Sequence, residues 1–100
     1  MVRYRVKPDR AAENEERITN VFEQLAREKP GGLRYAAFRL DDGVTFVHVV
    51  LDEELNGMSA LSDLSEFKIF SAGIQDRVEE PPAVTKLTVV GSYAAEPGDE

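Results

Sequence analysis

The sequence predicts an α+β domain of the ferredoxin-like type, in the order β-α-β-β-α-β. Three observations carry that expectation. Residues 2–7 alternate apolar and basic side chains with the period of a strand. Residues 10–28 repeat apolar side chains at helical spacing. Asp42-Gly43 separates two β-rich runs, which is a strong hairpin signal. A four-stranded antiparallel sheet with both helices on one face follows from this order. The 100 residues suit a single domain, expected over 1–94, with a flexible tail at 95–100.

The first strand places Val2, Tyr4 and Val6 on one side and Arg3, Arg5 and Lys7 on the other. Pro8-Asp9 stops it and offers a helix start. The first helix carries Ile18, Val21, Phe22 and Leu25 on one face, with Glu13/Arg17 and Glu23/Arg27 spaced as i,i+4 pairs on the other. Pro30-Gly31-Gly32 ends it. Leu33–Leu40 and Val44–Leu51 are the hairpin strands, and 52–57 is a polar loop. The second helix starts at a Ser62 or Ser65 cap and shows Leu64, Phe67, Phe70 (or Ser71), Ile74 and Val78 on one face. Pro81-Pro82 closes it, and the last strand is expected over Val84–Tyr93.

Composition narrows the function. Hydrophobic residues make up 42% and charged residues 31%, which is a globular rather than a disordered balance. With 12 basic against 19 acidic side chains the net charge is −7, a poor match for a nucleic-acid backbone. The charge is uneven: residues 41–67 contain no Lys or Arg, whereas the first strand is basic. The absence of cysteine removes disulfides, thiolate metal sites and thiol nucleophiles. The single histidine forms no zinc cluster, and the acids at 52–54 do not follow the alternate spacing of a calcium loop. No serine sits in a Gly-x-Ser-x-Gly context, and no glycine pair matches a phosphate loop. No stretch is apolar enough for a signal peptide or a membrane span, so a cytoplasmic protein is expected, with no membrane partner.

Two helices cover only one face of such a sheet. The third strand is apolar on both faces, with Val47, Val49 and Leu51 on one side and Phe46, His48 and Val50 on the other. An open face of this kind predicts a homodimer packed sheet to sheet.

The stretch Gly31-Gly32-Leu33-Arg34-Tyr35-Ala36-Ala37-Phe38-Arg39-Leu40, with Phe46-Val47-His48, Phe67-x-x-Phe70 and Gly91-Ser92-Tyr93, resembles small bacterial proteins of the dimeric α+β-barrel superfamily, the antibiotic-biosynthesis-monooxygenase-like group. The resemblance implies a ligand cavity between sheet and helices or within the barrel. It also implies either cofactor-free oxygenase chemistry on quinol-like aromatics or haem degradation, of which the first, needing no metal or flavin, is the reading taken. The chain contains no tryptophan and its histidine lies on a strand, so no catalytic set transfers residue by residue.

His48 is the one imidazole available for proton transfer. With Tyr4 assigned to the helix-covered face, Arg3 and Arg5 are expected beside His48 and Phe46 on the second face. There they would hold an anionic or phenolic ligand. Tyr35 and Phe38 point to opposite faces of their strand, so one of them lines the cavity; Tyr35 is the candidate. Phe67, Phe70 and Ile74 would line a pocket between helix and sheet. The alternative to an enzyme is a non-catalytic ligand-binding or interaction module.

Overall fold

The computed structural model describes residues 1–30, 33–52, 61–91 and 93. The sequence readings of Gly31-Gly32, of the polar loop at 53–57 and of the tail at 95–100 lie outside the described residues. Strand β1 (Val2–Val6) leads through a 3₁₀ turn (Pro8–Arg10) into helix α1 (Ala11–Glu28). Strands β2 (Leu33–Arg39) and β3 (Thr45–Asp52) form the hairpin; helix α2 (Ser65–Arg77) and strand β4 (Val78–Val84) follow. The sheet order is β2-β3-β1-β4, and every pairing is antiparallel. This is the ferredoxin-like arrangement, with β1 and β3 central.

Local chemistry explains the hairpin and the helix ends. Asp42 Oδ1 accepts the backbone N–H groups of Val44 and Thr45 at 2.9 and 2.8 Å, and Gly43 takes a φ of 77° that a side chain would resist. Helix α1 ends on Lys29, a left-handed residue at φ 47° whose N–H donates to the Leu25 carbonyl. Arg10, not Arg17, pairs with Glu13, at 2.9 and 3.1 Å. It lies one turn ahead, where the chain enters the helix. Helix α2 has no serine cap of its own. Gln24 of α1 supplies the acceptor instead, its Oε1 taking the Glu66 N–H at 2.9 Å.

The core between helices and sheet holds Tyr4, Val6, Ile18, Val21, Phe46, Leu61, Leu64 and Phe70. Pairing of Val2 with His48 and Tyr4 with Phe46 sets the faces. Phe46, His48 and Val50 therefore turn towards the helices together with Val2 and Tyr4. Val47 and Val49 share the outer face with Arg3. Tyr35 pairs with Val50 and belongs to the inner face, whereas Phe38 is 54% exposed on the outer one.

The last strand departs from expectation. β4 starts at Val78, directly after α2, and contains Pro81 and Pro82. Proline is tolerated there because β4 is an edge strand, and its register to β1 shifts around Arg5. Residues 85–91 are outside the sheet, and Val89, Val90 and Tyr93 are exposed.

Candidate functional site

A cavity of about 180 Å³ opens between α2 and the inner face of the sheet. Val2, Val50, Leu61, Phe67, Phe70 and Ile74 supply its apolar wall. Helix α2 brings Phe67, Phe70 and Ile74 to it because they are spaced three and four residues apart on one face. Three polar side chains, Tyr4, His48 and Tyr35, meet at the wall formed by β1, β3 and β2, and Ser71 of α2 is a fourth polar lining residue.

These three are joined. The Tyr4 hydroxyl lies 2.7 Å from His48 Nε2, and the Tyr35 hydroxyl lies 2.5 Å from His48 Nδ1. Both imidazole nitrogens therefore have partners, although His48 is only 6% exposed. Behind Tyr4, Asn14 Nδ2 donates to the tyrosine oxygen at 2.9 Å, and Arg77 Nε donates to Asn14 Oδ1 at 3.0 Å. Arg77 is anchored by a second bond to the Phe70 carbonyl at 3.0 Å and lies over the Phe70 ring. Phe22 stacks on Tyr35 at 4.9 Å between centroids, which holds that ring against the sheet.

Burial keeps the cluster neutral. It pushes the His48 pKa down to about 4 and the Tyr4 pKa up to about 12, and it raises that of Tyr35 as well. At neutral pH the cavity wall thus presents two phenols and a neutral imidazole. Such a set can exchange protons with a bound compound along hydrogen bonds already formed.

The structure redraws the expected site. His48 and Tyr35 do line one cavity. Phe46 does not line it; it is 1% exposed and stacks on Tyr4 in the core. Arg3 and Arg5 are on the opposite face, because β1 alternates and its even residues, Val2 and Tyr4, are the ones aligned with His48 and Phe46. Arg5 turns instead to Glu80 at 2.6 Å on β4. Among the described lining residues there is no Lys or Arg, so the anionic ligand expected from those arginines loses its basis. Tyr4, Asn14 and Arg77 were not anticipated as site residues. The signal for Asn14 is a polar residue on the apolar stripe of α1, four positions before Ile18.

No group of His, Asp or Glu side chains among the described residues is placed to hold a metal ion. No described helix is long and apolar enough to cross a membrane.

The sheet order defines an α+β protein with a cavity of about 180 Å³ beneath α2. Comparison with solved structures shows the same fold in several proteins, each less than 25% identical to this chain. A candidate antibiotic biosynthesis monooxygenase from Nitrosomonas europaea is similar at TM-score 0.69 and 23% identity, over 82% of this chain and 79% of that one. A candidate of the same name from Caulobacter crescentus reaches TM-score 0.71 at 22% identity, over 90% and 86%. A protein of unknown function from Nitrosomonas europaea reaches TM-score 0.74 at 18% identity, over 95% and 90%. No protein-family model and no curated protein matches the chain.

Proposed function

We propose that this chain binds a small, largely apolar compound of phenolic or quinol type in the cavity under α2. We further propose that it acts on that compound as a monooxygenase-like enzyme with His48 as proton carrier. One observation carries the reading: a single bonded Tyr4–His48–Tyr35 cluster faces a cavity whose other lining residues are apolar except for Ser71 of α2. The volume suits one small aromatic molecule, since an engineered apolar cavity of roughly 150 Å³ takes up benzene. A second copy of the chain would cover the outer face, where Phe38, Val47 and Val49 lie, and the exposed Leu87, Val89, Val90 and Tyr93. Oxygen uptake with a panel of quinols tests the enzyme. The expected result is turnover by the parent and its loss in His48→Ala. Equal rates would remove His48 from the chemistry. Sedimentation at micromolar concentration tests the dimer, and a monomer there would refute it.

A second reading, ligand binding without turnover, draws on the depressed His48. A general base works best with a pKa near the operating pH, and burial has moved this one to about 4. Stoichiometric binding of a panel compound with no oxygen consumed would select this reading.

A further inference from the structure

The hydrogen bonds of the cluster have a direction, and it can be read from its buried end. Arginine has donors only, so Arg77 Nε must donate and the Asn14 oxygen must face it. The Asn14 amide nitrogen is then turned to Tyr4, where it donates to the phenol oxygen. Tyr4 is 2% exposed, and among the described residues its own proton has one partner in reach, His48 Nε2. Nε2 is consequently the acceptor. A neutral imidazole holds one N–H, so the proton sits on Nδ1 and is donated to the Tyr35 oxygen. The Tyr35 proton is left over. Its hydroxyl has no acceptor among the described residues, and the residue lines the cavity. The opposite direction would bring two donors, from Asn14 and His48, onto the Tyr4 oxygen and leave the Tyr4 hydroxyl proton buried without an acceptor. The guanidinium charge favours the same order, since it attracts the acceptor end of every link.

We propose that Arg77, acting through Asn14, fixes a one-way chain of donors that ends in the Tyr35 O–H, so that the cavity selects ligands that dock by an acceptor oxygen, as in a carbonyl group. Arg77 and Asn14 are positioning residues; Tyr35 is the group that meets the ligand. The ligand half of this inference rests on the cavity reading above, and the direction of the chain does not.

One substitution reverses the chain without changing its shape. In Asn14→Asp the carboxylate accepts from Arg77 and also from the Tyr4 hydroxyl. Tyr4 then accepts from His48 Nε2–H, and Nδ1 accepts from Tyr35. The histidine proton should therefore move from Nδ1 to Nε2. His48 is the only histidine, so one imidazole is present in a side-chain ¹⁵N–¹H correlation spectrum. We expect Nδ1–H in the parent and Nε2–H in Asn14→Asp. Nε2–H in the parent, which needs no variant to observe, overturns the direction, and Nδ1–H in both proteins overturns the claim that Arg77 and Asn14 fix it.

Acetophenone and ethylbenzene, which differ by the carbonyl oxygen, read the ligand half. Acetophenone should bind the parent about tenfold more tightly, the worth of one hydrogen bond. That advantage should vanish in Tyr35→Phe and in Asn14→Asp. The expected tautomers without any preference for acetophenone would overturn the ligand selection. Binding of neither compound, with the tautomers as expected, would refute the cavity reading while the direction stands.

Discussion

Acidification from about pH 7 to about pH 5 tests the burial of His48 through stability alone. In the unfolded chain an imidazole ionises at 6.5, whereas burial pushes His48 down to about 4 in the folded protein. Between those values the unfolded state takes up a proton that the folded state does not. Stability is therefore complete above 6.5 and is lost as the pH falls towards 4. At ~1.36 kcal/mol per pH unit the loss is about 3 kcal/mol over the whole window and about 2 kcal/mol between pH 7 and pH 5. A domain of this size unfolds with roughly 5–15 kcal/mol in total, so the effect is large. Urea titrations at the two pH values should show the midpoint falling by roughly 1–2 M. His48→Gln keeps hydrogen-bonding capacity and removes the titration. Its midpoint should start lower and barely move. Glu13, held low by its bond to Arg10, and Asp42, held low by Thr45, contribute equally to both proteins and cancel. Equal falls in the parent and in His48→Gln would show that the imidazole is not buried as described.

Three further substitutions have defined outcomes. Phe46→Ala removes a ring that is 1% exposed and stacked on Tyr4, and should destabilise by about 3–5 kcal/mol in a urea titration. Gly73→Ala places a Cβ 2.6 Å from Arg77 Nη1; loss of the Arg77 bonds should outweigh the helix gain of ~1 kcal/mol, for a net fall of about 1–2 kcal/mol. A rise in melting temperature would mean that Arg77 swings aside freely. Lys29→Gly relieves the left-handed residue that ends α1 and should stabilise by about 1 kcal/mol, read as a higher melting temperature.

The elements that depend on nearby residues were legible in the sequence. Helix α1 and the Asp42-Gly43 hairpin match their expected bounds within a residue, because their spacing and turn chemistry are local. The last strand was not, because what makes Val78–Val84 a strand is a partner some eighty residues earlier in the chain. Its prolines read as a stop signal; only its position at the sheet edge makes them compatible with pairing.

The site was half legible for a related reason. Alternation tells which residues of one strand share a face, but not which face of the next strand they meet, and a shift of one residue reverses the answer. In β3 both faces are apolar apart from His48, and assigning Tyr4 to the helix-covered face sets the histidine beside Arg3 and Arg5 on the other. The pairing of Val2 with His48 turns it inward, where two tyrosines from the flanking strands satisfy it. The supporting residues did leave traces. Asn14 interrupts an apolar stripe, and Gly73 sits inside a helix, where glycine costs about 1 kcal/mol relative to alanine. Arg77 stands one turn after Gly73, and the missing side chain is what lets the guanidinium lie back over the helix to reach the Phe70 carbonyl and Asn14. A polar residue on an apolar stripe and a glycine one turn before a buried arginine are each explained by the other. Read together, they mark a buried polar network that neither composition nor periodicity would reveal separately.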